Sequence, residues 1–290
     1  MTVTPTPRTA IVTGASRGIG PYIARALAER GFDLLLVARS AEQLALLAAE
    51  LRSAGHRAEI AAVDLARPDA AQRIVSAATA TLRTVDAVVN NAAVEPQRHF
   101  HTLDIDEIDT IVQVNLLTPL TLSRLLLPGM LERGYGRIVN ISSLAGHTSF
   151  PFTETYAATK DGLTAFSRVL HSDYRARGVT ATSLILGPVG GAGIGQRTMD
   201  ELGVKIGRAQ RASMVQPERV ARAVLTAIDK QKAELVVMPG PGRLVKALMD
   251  LFPGLGPFMN RVSGAERTMS AVADVRERQH AAVQREAGAA

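Results

Sequence analysis

Ser143, Tyr156 and Lys160 are the residues of this 290-residue chain whose types and spacing could carry chemistry. Tyr156 and Lys160 stand four apart, so in a helical segment beginning near Thr155 they share one face, a turn apart. A neighbouring ammonium favours the ionised form of a phenol, and a tyrosine so tuned can exchange a proton near neutral pH. Ser142 and Ser143 end a short apolar run, residues 138–141, that reads as a buried parallel strand. In an open α/β sheet, strand ends and helix faces converge at the carboxyl edge, so Ser143 can meet the tyrosine–lysine pair across a cleft. The pair alone is a weak signal, because a tyrosine and a lysine four apart on a helix are usually surface neighbours. Its meaning depends on the elements that would hold it.

Those elements begin with a strand over residues 9–12, running straight into Thr13-Gly14-Ala15-Ser16-Arg17-Gly18-Ile19-Gly20. Residues 21–31 then show helical periodicity closed by Gly31, with Pro21 in the first turn, where a missing N–H costs nothing. Strand, glycine-rich turn and helix N-terminus together make an anion site of backbone N–H groups. Gly14 permits the tight turn; Gly18 and Gly20 allow close approach of a diphosphate and of the helix to the sheet. A second strand, 33–38, ends in Arg39-Ser40. An acid at that tip would bind a ribose 2′-hydroxyl, but Asp33 lies at the wrong end of the strand. Arg39, Ser40 and Arg17 instead offer two guanidiniums and a hydroxyl, which suit a 2′-phosphate. NADP(H) is therefore expected over NAD(H).

A helix is predicted over 41–54, closed by Gly55, and a third strand over 58–63 ends at Asp64-Leu65. Asp64 either meets an adenine amino group or caps the helix starting near Pro68. A fourth strand, 87–89, ends at Asn90-Asn91-Ala92-Ala93, and a long helical pattern over 104–133 contains Asn115. A buried amide there must find a partner, structural or catalytic.

Composition narrows the classes. Hydrophobic residues make up 47% and charged residues 21%, ordinary for a globular domain with a sizeable core. The absence of cysteine excludes disulfides, thiol catalysis and thiolate metal sites. The six histidines show no ligand spacing, so no metal is expected. The net charge of +6 is carried by scattered arginines with few aromatics for base stacking, so no nucleic-acid partner is expected. The surplus reads as attraction for an anionic cofactor or as a solvated basic surface. With no secretory pattern at the start and no apolar run approaching a bilayer span, a cytoplasmic protein is expected.

Taken together, Thr13-Gly14-x-x-x-Gly18-x-Gly20, Asn90-Asn91-Ala92, Asn115, Ser143, Tyr156 and Lys160 resemble the short-chain dehydrogenase/reductase family over roughly residues 8–240. The resemblance implies an α/β fold, a Rossmann-type doubly wound parallel sheet in a single domain with a C-terminal helical extension. It implies an NADP(H)-dependent oxidoreductase that interconverts a carbonyl and an alcohol of a small, fairly apolar substrate. Tyr156 would exchange a proton with the substrate oxygen, and Lys160 would lower the pKa of Tyr156 and hold the nicotinamide ribose. Ser143 would hydrogen-bond the carbonyl; Ser142 fits the family interval less well. Asn115 would hold a water linking Lys160 to solvent. Cofactor contacts would come from Gly14, Ser16, Arg17, Gly18, Ile19, Gly20, Arg39, Ser40, Asp64, Leu65, Asn91, Ala92, Ala93, Tyr156, Lys160, Gly187 and Val189. A homodimer or homotetramer, pairing helices near 104–133 and 155–176, is implied as well. The sequence departs from the family at Ala93 (usually glycine), Leu186 (usually proline) and Gly191, where a carboxamide-binding threonine is common. The rival reading, a non-catalytic NADP(H)-binding sensor or scaffold, has no need of the proton-transfer set.

The last third is less regular. Residues 190–215 are glycine-rich without a continuous apolar pattern and read as a mobile substrate lid. A helix over 217–232 and a last strand over 234–238 follow. Residues 240–262 mix basic and apolar side chains; a pocket-completing helix, an oligomer contact and a membrane-surface segment all fit, membrane contact ranking third because Pro253 and the nearby glycines shorten any helix. Phe150, Phe152, Met199, Leu202, Leu251, Phe252 and Phe258 are candidates for an apolar pocket. Residues 1–7 are expected to be flexible, and 264–290 to fray.

Overall fold

The computed structural model describes residues 8–204, 211 and 214–288. The expected flexible N-terminus, 1–7, lies outside the described residues, as do positions 205–210, 212 and 213 of the expected lid. Seven strands form one sheet in the order β3-β2-β1-β4-β5-β6-β7, and every pairing is parallel. They are β1 (Arg8–Thr13), β2 (Phe32–Ala38), β3 (Ala58–Ala62), β4 (Ala87–Asn90), β5 (Gly136–Ser143), β6 (Val179–Leu186) and β7 (Glu234–Val237). A parallel sheet is covered on both faces, which is why β2 reads as a nearly unbroken apolar run and β6 is buried throughout, its Thr180, Thr182 and Ser183 included. The chain reverses its direction of travel across the sheet between β1 and β4, and a crevice opens at the strand ends there.

One face is packed by α1 (Gly20–Glu29), α2 (Ala41–Ser53) and α9 (Pro217–Lys230), through residues such as Ile23, Leu27, Leu44 and Val224. The other carries α3 (Ala70–Thr81), α5 (Thr118–Glu132) and α7 (Glu154–Tyr174), with Ile74, Leu122, Leu126 and Leu170 buried. The helix predicted over 104–133 is not continuous. It consists of α4 (Ile105–Val112), a π-turn over Gln113–Leu117 and then α5. Widened turns of this kind are frequent at functional sites, and this one contains Asn115. Ile105–Glu132 also has the length and hydropathy, mean 1.3, to cross a bilayer, contrary to the expectation that no run does. Half of its most apolar window is buried inside the domain, as in a core helix.

Two further departures, and one break that the sequence predicts, lie in the last third. The glycine-rich stretch contains a helix, α8 (Ile194–Glu201), because Met199 finds apolar partners in distant sequence. The basic apolar segment forms α10 (Gly242–Leu251) and α11 (Leu255–Val262), broken at Pro253 and Gly254. A short α6 (Ala145–Thr148) lies earlier in the chain, and α12, Ala265–Gly288, follows α11. It does not fray: Met269, Val272 and Ala273 are buried, and Glu277 accepts a hydrogen bond from Thr102 Oγ1 at 2.9 Å. A polar, alanine-rich tail hides this because its few docked apolar side chains are spread among polar ones.

Candidate active site

A cleft of about 780 Å³ runs along the carboxyl ends of the strands. Its first wall is the glycine loop. Gly14 has φ +66°, and a Cβ there would stand 2.8 Å from Ala92 Cα, so the loops after β1 and β4 touch at this point. They are also stitched together. Asn91 Nδ2 donates to the carbonyls of Thr13 (3.0 Å) and Gly14 (3.2 Å), and Thr13 Oγ1 accepts from the amides of Asn91 (3.0 Å) and Ala92 (3.2 Å). Asn91 Oδ1 is left buried without a partner, an acceptor that a ligand can use.

Ser16, Arg17, Gly18 and Ile19 line the same wall; Gly20, just below it, admits the carbonyl of Gly14, which a Cβ would meet at 2.1 Å. At the tip of β2, Arg39 is exposed. Ser40 Oγ caps α2 by accepting from Gln43 N at 3.3 Å, which leaves its own proton to donate. Among the described residues neither Arg17 nor Arg39 has an acid partner. Asp64 was open to two readings, and helix capping is not its role. Its Oδ1 accepts from Ala66 N at 3.1 Å, while α3 starts only at Ala70. Leu65, Ala92, Ala93, Gly187 and Val189 complete the lining. An orphaned acceptor, unpaired guanidiniums and bare backbone fit a dinucleotide.

The second wall carries the reactive groups. Ser143 ends β5, and Tyr156 and Lys160 lie one turn apart on α7. Lys160 is 2% exposed; its Nζ donates to Ile141 O at 2.8 Å and stands 5.5 Å from the centre of the Tyr156 ring. Ser143 hydrogen-bonds the Tyr156 hydroxyl, and its Oγ accepts from Ala145 N at 3.1 Å. Ser142 instead pins α7 to the sheet, donating to Lys160 O at 2.8 Å.

The expected lowering of the Tyr156 pKa by Lys160 is absent in the free protein. Burial, and then the charge of Glu95, push the phenol well above its ordinary range, and the Ser143 hydrogen bond only partly offsets them. Burial brings Lys160 down to about 8, with Glu95 pulling the other way. Asn115, fully buried in the π-turn, does not present a free amide. Its Oδ1 accepts from Val94 N and its Nδ2 donates to Val94 O, both at 2.9 Å, with Thr159 Oγ1 at 3.4 Å. Its first work is to latch the loop after β4 to the helix.

That latch presents a residue the sequence reading missed. Glu95 follows Val94 into the cleft, and burial raises its carboxyl to about 7 despite the attraction of Lys160. An acid just past the Asn90-Asn91-Ala92-Ala93 turn is visible in the sequence, but a loop has no periodicity to say which side chain points inward. Gln97 was missed for the same reason; it is 2% exposed at φ +51°, with Oε1 unpartnered.

Opposite Tyr156 the lining is apolar. Six of the eight methionines are there: Met199, Met214, Met238, Met249, Met259 and Met269. Phe150 joins them, whereas Phe152 and Leu202 pack just behind, around Met199 and Met269. Leu251, Phe252 and Phe258 do not belong to the pocket; they are 69%, 56% and 61% exposed. Leu186 is buried behind the lining it shares, and Gly191 is exposed with no side chain to offer. An acid–histidine group, Asp104, Glu107 and His280, lies outside this lining, where Asp104 and Glu107 form the capping box of α4.

Comparison with known proteins places this geometry. The sequence profile described as short chain dehydrogenase matches residues 8–202. The chain is 34% identical over 251 residues to the ketoacyl reductase HetN of Nostoc sp. (strain PCC 7120), covering 87% of this chain and 85% of that protein. It is 34% identical over 181 residues to the very-long-chain 3-oxoacyl-CoA reductase of Anas platyrhynchos, covering 61% of this chain and 58% of that one. Among solved structures, a metagenomic short-chain oxidoreductase in complex with NADP superposes with a TM-score of 0.65 at 31% identity, over 80% of this chain and 97% of that one. A putative NAD(P)-dependent gluconate 5-dehydrogenase from Beutenbergia cavernae, with NADP bound at low occupancy, gives 0.70 at 31%, over 81% and 95%.

Proposed function

Because this chain belongs to the short-chain dehydrogenase family and so interconverts a carbonyl and an alcohol, we propose that it is an NADP(H)-dependent reductase of an apolar ketone or aldehyde. The carrying observation is Tyr156 held as a phenol, bonded to Ser143 and one turn from buried Lys160. A phenol is the form that donates a proton to a carbonyl oxygen, the role that reduction requires of Tyr156. The dinucleotide, when bound, supplies the hydride to the carbonyl carbon. Ser143 and Tyr156 donate hydrogen bonds to the carbonyl oxygen, and Tyr156 passes its proton to that oxygen as negative charge grows there. Lys160 then stabilises the phenolate. With its pKa lowered to about 8, Lys160 is still charged at neutral pH but can pass a proton to the phenolate more easily than an ordinary lysine, and a proton from solvent then restores the ammonium.

NADP(H) is favoured by Arg39, Ser40 and Arg17 at the 2′-position, where among the described residues no acid pairs with either guanidinium. The Met-rich wall accommodates flexible apolar chains, in line with relatives named as ketoacyl and 3-oxoacyl-CoA reductases. Ile105, Leu117, Leu125 and Val169, exposed on α4, the π-turn, α5 and α7, support a homodimer or homotetramer through that side. The test is titration calorimetry with NADPH and NADH, followed by NADPH oxidation with medium-chain ketones and 3-oxoacyl thioesters. NADPH is expected to bind roughly 10- to 100-fold tighter, the worth of one or two charge-assisted hydrogen bonds, and Arg39→Asp should reverse the order. Equal affinity in the wild type, or no turnover of any carbonyl, would overturn the proposal.

A further inference from the structure

Arg197 is not among the residues assigned above to the cofactor, yet it faces the glycine loop from the other side of the cleft. A Cβ on Gly18 would stand 3.1 Å from Arg197 Nη1 and 3.1 Å from Ala192 O. The stretch leading into α8, and a guanidinium on that helix, therefore press against the middle of the phosphate cradle. Gly18 is already confined to glycine by its φ of +67°. Arg197 Nε is buried without a hydrogen-bond partner, and its side chain makes no ion pair among the described residues. The charges it feels are Arg17, which repels it, and Glu201, which attracts it; with burial, the balance pushes its pKa down. An unpaired, partly buried guanidinium held against the glycine loop at a helix N-terminus is an arrangement that an anion completes.

We propose that Arg197 is a cofactor-binding residue, donating from α8 to the diphosphate of the dinucleotide opposite the backbone N–H groups of residues 14–20. This rests on the dinucleotide reading above. The diphosphate is the fitting partner rather than the 2′-phosphate, because Gly18 lies where α1 begins, whereas Arg39 and Ser40 mark the 2′-position at the tip of β2. The contact also reaches the substrate. Gln196 and Met199 of α8 line the other half of the cleft, Met199 packs on Met269 and Val272 of α12, and Glu201 meets Arg276 at 3.4 Å. Anchoring Arg197 on the cofactor thus seats the wall against which the substrate packs.

The experiment compares wild type, Arg197→Met and Arg197→Lys by titration calorimetry against NADPH, NADH, ADP-ribose and 2′,5′-ADP, which lacks a diphosphate. Arg197→Met should lose roughly 10- to 100-fold for the three diphosphates and little for 2′,5′-ADP, with Arg197→Lys intermediate. Hydrogen exchange gives a readout independent of turnover: NADPH should slow the α8 amides in wild type and not in Arg197→Met. Unchanged diphosphate affinity in Arg197→Met, or an equal loss for 2′,5′-ADP, overturns the assignment alone. A wild type that binds no dinucleotide overturns it together with the proposed function.

Discussion

The wall of the cleft formed by residues 14–20, 64–65 and 91–93 is largely backbone, whereas the facing wall is side chain, above all methionine. The first is held by β-strand ends and by the Thr13–Asn91 stitch, all within elements close to the sheet. The second is assembled from α8, α10, α11 and α12, which reach the site from the last hundred residues. Backbone cannot be retuned without moving a strand, so the first wall suits a ligand that stays the same. Methionine is flexible and polarisable, so the second suits a substrate whose shape varies. Between the walls stand Tyr156, Lys160, Ser143 and the overlooked Glu95.

The contrast can be broken at three points. The largest effect is expected at its centre: Tyr156→Phe should lower kcat by about 10²- to 10⁴-fold, the usual worth of general acid catalysis, while NADPH affinity measured by calorimetry stays within about twofold. A variant that keeps turnover would remove Tyr156 from its role. Next comes the side-chain wall. Deleting residues 264–290 removes the buried Met269 and Val272, a loss of about 3–5 kcal/mol at the usual return for apolar burial. Chemical denaturation should show that loss, and steady-state kinetics should show KM for the carbonyl rising far more than the NADPH constant. An unchanged midpoint would mean that the tail contributes nothing to the fold.

The smallest effect sits at Glu95. Its charge above pH 7 holds Tyr156 as the phenol, so Glu95→Gln should move the alkaline limb of kcat/KM for reduction to lower pH. Stability gives an independent check of sign. A carboxyl raised from 4.5 to about 7 leaves the folded chain holding more protons than the unfolded one between those values. Stability therefore falls as pH rises through that window in wild type, and Gln should flatten the slope. If the alkaline limb and the slope both stay put, Glu95 does not act on Tyr156.

What the sequence determined by itself is local. Gly14, Gly18 and Gly20 announce a turn because their backbone geometry is a property of a few consecutive residues. The Tyr156–Lys160 spacing needs only a helix, and the strand periods of 9–12 and 138–141 need only burial on both faces. Tertiary structure decided the rest. Only packing shows that Asn115 spends its amide on Val94, that Glu95 and Gln97 point inward from a loop without periodicity, and that Phe252 and Phe258 point out. The helix hidden in residues 190–204 and the docked tail exist because Met199, Met269 and Val272 meet across about 70 residues of chain, which no short window of sequence reports. The state of Tyr156 was decided there too, since burial and a neighbouring carboxyl outweigh a lysine one turn away.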